Sequence, residues 1–134
     1  MKREIKFRAY RKSTQNTCNV LLIDFENELV LLSDGDEEDI SDVDLMQYTG
    51  LHDKNGREIY EGDILHFGSV WCVGDEYDPR EEDHIGTVEY RPDYASYVIN
   101  CNGKIYPLEQ VISFDGYSVQ GNVHENPELL EGKQ

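Results

Sequence analysis

The segment LMQYTGLHDKNGREIYEGDI, residues 45–64, holds the clearest structural signals in the chain. Its first four residues, 45–48, are apolar or aromatic for the most part and predict a short β-strand. The run Asp53-Lys54-Asn55-Gly56 predicts a tight turn, because Asn-Gly tolerates the positive φ angles that such turns require. The run Glu61-Gly62-Asp63 predicts a second turn, with a further strand at 64–67. Strands this short, separated by turns, indicate a β protein.

Short alternating runs continue on both sides of this segment. Towards the N-terminus, Ile5, Phe7 and Ala9 alternate with polar residues and predict a half-buried strand whose apolar residues face the core. Residues 18–25 and 28–32 predict a hairpin. Towards the C-terminus, strands are predicted at 69–73, 85–90, 94–101, 104–106 and 117–123. Residues 33–44 and 74–83 are predicted to be acidic loops.

The chain lacks the spacing of an amphipathic helix of ten or more residues, and each of 107–111 and 126–130 allows only a single helical turn. Strands at intervals of about ten residues predict a mainly β, barrel- or sandwich-like single domain over residues 1–134. We divide it into an N-terminal β part, 1–60, and a part, 61–134, whose pattern is similar to that of a small SH3-like barrel. No internal repeat is visible in the sequence.

The net charge of −16 is unevenly distributed, since residues 1–12 carry +5 and the rest of the chain carries −21. An acidic body repels phosphate backbones, and attraction between phosphates and basic side chains supplies most non-specific nucleic-acid affinity. Direct DNA or RNA binding is therefore disfavoured, and only residues 1–12 argue for it. The sequence has neither a signal peptide nor an apolar run long enough to cross a bilayer, which predicts a cytoplasmic protein that makes no use of a membrane.

Residues 34–44 contain seven carboxylates but do not match a calcium-binding loop. Such a loop, if it began at Asp34, would need Gly at its sixth position and Glu at its twelfth, where the chain has Asp39 and Leu45. The four histidines are scattered, and the three cysteines form no C-x-x-C pair. The sequence therefore predicts no catalytic residue, no cofactor and no metal site, and a protein that is not an enzyme.

The candidates for partner binding are acidic and aromatic residues. They are Asp36, Glu37, Glu38, Asp39, Tyr94 and Tyr97. The four acids are predicted to be solvated loop charges, which attract basic partners and contribute little to stability. The two tyrosines are predicted to stand on an exposed face, because Tyr is enriched at interfaces, with sheet packing as the alternative.

Three stretches of the chain resemble one known family. They are REIKFRAY at 3–10, the segment 45–64 quoted above, and GNVHENPELL at 121–130. In this order and spacing they resemble the YopX family, which is found in temperate phages and prophages of low-GC Gram-positive bacteria and some other hosts. The resemblance covers essentially the whole chain. It implies a β-rich fold and a prophage context, and it assigns no activity and no catalytic residue.

We therefore expect a non-catalytic phage or prophage accessory protein that binds another macromolecule, in the first instance a protein. The alternative is a nucleic-acid-associated protein that uses the basic N-terminal residues. An enzyme of unrecognised type is the third hypothesis. The identity of the partner and the oligomeric state are open at this point.

Overall fold

The computed structural model describes residues 4–72, 79–111 and 117–131, except for the side chains of 69–72, 79–82, 110 and 111. These residues form mainly antiparallel strands, which confirms the predicted fold class. The strands are β1 (Phe7–Arg11), β2 (Asn16–Asp24), β3 (Leu29–Leu32), β4 (Glu37–Asp39), β5 (Val43–His52), β6 (Glu58–Tyr60), β7 (Asp63–Cys72), β8 (Pro79–Arg91), β9 (Ser96–Cys101), β10 (Lys104–Pro107) and β11 (Ser118–Asn122).

The described residues form three single helical turns, one more than the sequence predicts, because the first lies within the predicted acidic loop 33–44. They are two 3-10 helices, Ile40–Asp42 and Pro127–Leu129, and one α-helix, α1 (Leu108–Val111). No helix among the described residues has the length and apolar character that a membrane crossing requires.

The strands form two sheets. The first sheet has the order β4-β3-β2-β1-β5-β6, and the second has the order β10-β9-β8-β7-β11. Within the described ranges both sheets stay open, so the arrangement is sandwich-like and not a closed barrel. Strands up to Tyr60 lie in the first sheet and strands from Asp63 onwards lie in the second. The division into 1–60 and 61–134, and the SH3-like barrel in the second part, stay predictions.

Apart from the edge strand β6 of the first sheet, the two sheets share one topology, which the sequence does not reveal. In each sheet four consecutive strands form a meander, a single helical turn follows the fourth, and the fifth strand pairs with the first. The loops between the second and third strands are also alike, because each ends in a residue with a positive φ. This residue is Glu28 (58°) in the first sheet and Ala95 (52°) in the second. A topological repeat is therefore present where no sequence repeat is visible. Backbone pairing can be the same although the side chains differ.

Several strands are longer than their apolar runs. Strand β5 extends well beyond residues 45–48, and β7 passes without a break through Gly68, where we predicted a gap between two strands. Residues 79–83, predicted to be part of an acidic loop, begin β8, and residues 73–78 lie outside the described ranges. The physical reason is the backbone ladder between β7 and β8, which reaches from Ile64 and Thr87 to Cys72 and Pro79 whatever the polarity of the side chains.

Strand β1 starts later than predicted, and its apolar residues are not all in the core. Ala9 is fully buried and Phe7 is half-buried, but Ile5 is 65% exposed. Ala9 pairs with Cys18 on one side and with Leu45 on the other, so neighbouring strands flank it. Ile5 precedes β1 and has no paired strand beside it among the described residues. The prediction that Ile5 faces the core is wrong.

Each sheet has its own apolar core. The first core contains Ala9, Val30, Leu32 and Val43, and the second contains Ile59, Leu65, Phe67, Val88, Ile99 and Leu108. Ile59 is exceptional because it lies on β6, in the first sheet, and is fully buried in the second core. This side chain therefore fixes the edge of one sheet onto the core of the other.

A buried ion pair also joins the two sheets. Arg8 on β1 donates from Nη2 to Oδ1 of Asp63, which is fully buried at the start of β7. The second oxygen of Asp63 accepts the backbone N–H of Tyr60 at 2.8 Å, and the Arg8 guanidinium lies 4.6 Å from the centre of the Tyr60 ring. Burial raises the pKa of Asp63, although Arg8 and the Tyr60 N–H act in the opposite direction.

The predicted turn at residues 53–56 is present, and the Asp53 side chain holds it. Its Oδ1 accepts the backbone N–H groups of Asn55 and Arg57 at 2.9 and 2.8 Å, and its Oδ2 accepts the N–H of Val119 on β11 at 2.9 Å. Burial by itself would raise the pKa of Asp53, but the three hydrogen bonds to the charged carboxylate outweigh it, so the pKa is lowered. Arg57 also donates from Nη1 to the Val119 carbonyl at 2.9 Å, so the turn is fixed to β11.

We expect Asp53→Asn to lower the melting temperature at neutral pH. Below about pH 4, the melting temperature of this variant should decrease less with falling pH than that of the wild type. Because the folded state lowers the pKa of Asp53, its contribution to stability is fully present above the ordinary value of about 4. The contribution is lost as the pH falls through the lower, folded value. Melting temperatures measured from about pH 6 to about pH 2 test this, with Asp93→Asn, in an exposed turn, as the matched control. Equal slopes in the two variants would contradict it.

Candidate functional site

Part of the acidic segment 33–44 is regular structure, contrary to the prediction of a solvated loop. Glu37–Asp39 form β4, in which Glu38 pairs with Val30 and Asp39 with Leu29 of β3. The 3-10 helix follows directly. Glu37 and Asp39 are exposed and Glu38 is half-buried, which is the alternation of an edge strand. Asp36, just before β4, has a side chain that is 68% exposed.

The position of these acids is explained by Arg11, whose side chain is only 5% exposed. Its Nη1 and Nη2 lie 2.9 and 3.3 Å from the two oxygens of Asp34. Nη2 also lies 3.4 Å from Asp36, and Nε lies 3.4 Å from Glu38. Burial opposes the charge of Arg11, but the carboxylates outweigh it and raise the pKa. The backbone N–H of Asp36 and, to a smaller extent, Arg11 lower the pKa of Asp34 against its own burial.

Two of the four predicted partner-binding acids therefore have an internal role. Glu38 and Asp36 pair with a buried guanidinium, so the prediction that all four acids are solvated loop charges is wrong for Glu38, which is also half-buried on β4. The sequence could not show this, because Arg11 lies on another strand and its burial depends on the sheet. Glu37 and Asp39 remain exposed candidates on β4.

The two candidate tyrosines are far along the chain from the acids and lie in different environments, Tyr97 on β9 and Tyr94 in the turn between β8 and β9. Tyr97 is half-buried against the second core, and its ring centre is 5.3 Å from that of Tyr90 in an edge-on contact. Sheet packing, the alternative reading, accounts for Tyr97. Tyr94 is 64% exposed and lines a groove of about 450 Å³ together with Ser96, Val98, Ile105, Pro107 and Glu109. Partner binding by Tyr94 stays a prediction.

The basic residues near the N-terminus are engaged in ion pairs with the body of the protein. The pairs are Lys6 with Glu4 and Glu58, Arg8 with Asp63, Arg11 with Asp34, and Lys12 with Asp44. The hydrogen bond from Lys6 lowers the pKa of Glu58. Nucleic-acid binding requires cations that face phosphates, and internal pairs remove most of those available here. Lys2 and Arg3 lie outside the described residues.

Exposed apolar residues lie on β2, directly after it and two residues before β1, and the sequence did not reveal them. They are Ile5, Leu21, Leu22 and Phe25, which are 65, 64, 54 and 78% exposed. We call these four residues the β2 patch. The first three line a shallow groove of about 230 Å³ together with Lys6, Phe7, Val20 and Ile23. Exposed apolar residues that share a groove, as these three do, are typical of contact surfaces.

A shift in strand register accompanies the β2 patch. The pairing of β2 with β3 shifts between Val20 and Leu22, which marks a β-bulge. A bulge places two residues opposite one and re-aims the side chains, so that the adjacent residues Leu21 and Leu22 are both exposed. Two consecutive leucines within an alternating run are the signal that could have revealed the bulge from the sequence.

The described residues include no group of three His, Cys, Asp or Glu side chains that could hold a metal ion. The histidines have local structural contacts: a ring nitrogen of His52 lies 3.3 Å from the Tyr48 hydroxyl, and His124 stacks on Tyr10. Burial raises the pKa of the Cys101 thiol to about 11, which keeps it protonated at neutral pH. The predictions of no catalytic residue, no cofactor and no metal site stay predictions.

Comparison with known proteins places the chain in a family. The profile of the YopX protein family matches residues 6–131. Among solved structures, the crystal structure of protein EF1440 from Enterococcus faecalis is 30% identical in sequence, with a TM-score of 0.65 over 97% of this chain and 100% of that one. No curated protein matches the chain. The family match spans every described strand of both sheets, and the chain belongs to the YopX family.

Proposed function

We propose that this YopX family member is a non-catalytic accessory protein of phages or prophages, which acts in the cytoplasm by binding a basic protein. The observation that carries the proposal is the distribution of charge. The cations described between residues 6 and 12 are paired with acids of the same chain, whereas Glu37 and Asp39 on β4 are exposed in a chain of net charge −16. An acidic surface hastens encounter with basic partners and slows encounter with nucleic acids.

A suitable test neutralises exposed acids without touching those that hold Arg11. The combined change of Asp36, Glu37, Glu38 and Asp39 is unsuitable, because Glu38 and Asp36 face the buried guanidinium. The double variant Glu37→Gln/Asp39→Asn avoids this problem. Its matched control is Asp93→Asn/Glu131→Gln, which removes the same charge from exposed positions outside β4.

We expect the β4 double variant to bind the partner more slowly and with a weaker dependence on salt, because lost rim charge acts mainly on the association rate. The melting temperature should stay within a few degrees of the wild type, since surface substitutions cost roughly 0.5 kcal/mol or less. The measurement is capture from phage-carrying cells at low and high salt, followed by association kinetics with the purified partner. An unchanged rate and salt slope would contradict the proposal. So would a capture that nuclease treatment abolishes.

A further inference from the structure

The β2 patch is the exposed apolar surface that the fold leaves without a role. Its neighbours Val20 and Ile23 pack against the first core, whereas Leu21 and Leu22 between them are more than half exposed. Ile5 and Phe7, from the other side of the same groove, extend the apolar surface to β1. Large aliphatic side chains in solvent do not stabilise the chain, because burial is the source of their favourable free energy. Contact with another molecule would supply that burial.

The backbone under the patch is fixed, which suits a surface that must present apolar side chains. Strand β2 pairs with β1 from Asn16 to Asn19 and with β3 from Val20 to Asp24. Leu21 and Leu22 therefore lie in a segment whose backbone is held by β3, and side chains on a paired strand lose little backbone freedom when they bind. This part of the patch is organised before contact with any partner.

Acidic residues border the patch on both sides. Glu4 precedes Ile5, and Asp24 and Glu26 flank Phe25. The N–H groups of Glu26 and Asn27 and the amide of Asn27 donate to Asp24, which keeps that carboxylate charged. The one cation of the groove, Lys6, pairs with Glu4 and Glu58. The rim is therefore negative, and a second copy of this chain would bring the same acids against it.

We infer that the β2 patch is where the basic partner docks, and that this partner presents an apolar ridge flanked by Lys or Arg side chains. The inference rests on the proposed function and adds to it the surface and the chemistry of contact. Ile5, Leu21 and Leu22, which line one groove, supply the apolar anchors, and the acids at the rim favour a partner of positive charge. Anchors of this kind supply most of the binding free energy, whereas rim charges set the rate and the choice of partner.

Three synthetic peptides test this chemistry with the full-length protein. The first alternates Leu and Lys, the second alternates Leu and Glu, and the third alternates Ser and Lys. We expect the Leu–Lys peptide to shift the amide resonances of residues 5–7 and 20–25 in an NMR titration. Each of the other two peptides should bind at least about tenfold more weakly, since one lacks charge complementarity and the other lacks the apolar ridge. Equal binding of the Leu–Glu peptide, or shifts centred on the Tyr94 groove, would overturn the inference.

Leu21→Ser and Tyr94→Ser form a matched pair of variants, because both native side chains are 64% exposed. We expect Leu21→Ser to weaken the Leu–Lys peptide about tenfold and Tyr94→Ser to leave it unchanged, with wild-type melting temperatures for both. The reverse result would overturn the inference. Self-association in sedimentation equilibrium that Leu21→Ser abolishes would overturn it too, in favour of a second copy. If the β4 double variant slows association with the captured partner but Leu21→Ser does not, the proposed function stands and only the inferred surface fails.

Discussion

Replacing Asp63 by Ala is expected to lower the free energy of unfolding by about 3–5 kcal/mol, because it leaves one partner of a buried ion pair without the other. Arg8 has a side chain that is only 15% exposed, so its charge cannot be solvated when the carboxylate is gone. The backbone N–H of Tyr60 also loses its acceptor. Urea unfolding at neutral pH measures the loss. A change of less than about 1 kcal/mol would contradict the buried pair.

A double-mutant cycle separates the pair from its surroundings. Arg8→Met and Asp63→Leu remove the charges singly, and the combined variant removes both at similar volume. We expect the double variant to be more stable than Asp63→Leu alone, since replacing both members by apolar residues avoids the unpaired charge. Additive losses would show that Arg8 and Asp63 stabilise the fold independently.

Replacing Phe67 by Ala is expected to cost about 3–5 kcal/mol, the usual range for the loss of a fully buried aromatic ring. Phe67 is fully buried in the second core, where its ring centre lies 4.9 Å from that of His84 and 5.5 Å from that of Tyr106. The control is Phe25→Ala, the same chemical change at a side chain that is 78% exposed. It should cost about 0.5 kcal/mol or less. Similar losses in the two variants, measured by urea unfolding, would contradict the burial assigned to these rings.

The β class and the principal turns could be predicted because they depend on local sequence. Asn55-Gly56 marks a turn wherever it occurs, and Gly56 does have a positive φ of 82°. The single helical turn near Leu108 follows from the local sequence as well. Strand lengths could not be predicted in the same way. Strand β7 continues through Gly68 because β8 pairs with it from Ile64 to Cys72, and β8 begins only at Pro79.

The functional residues were harder to assign, because their roles depend on distant partners. Glu38 has the sequence context of a solvated charge. In the structure it lies on β4 and faces the buried Arg11, which lies on β1. Ile5 has the alternation of a core residue, yet no described strand pairs with it. The exposure of Leu21 and Leu22 results from a bulge, and a bulge depends on how β3 aligns with β2. In each case the deciding contact is made between strands.

In both sheets the fifth strand pairs with the first. A sheet can therefore be completed only after its fifth strand has been synthesised, which sets the order in which the two sheets form. A ribosome releases β1 to β6 before β7, so the first sheet has all its strands early. Strand β7 then carries Ile64, Leu65 and Phe67 with one edge unpaired until Ser118–Asn122 have been made. The interval covers residues 73–117, about a third of the chain. The nascent protein therefore passes through a stage in which one sheet is complete and the other still needs protection from aggregation, a need that chaperones commonly meet.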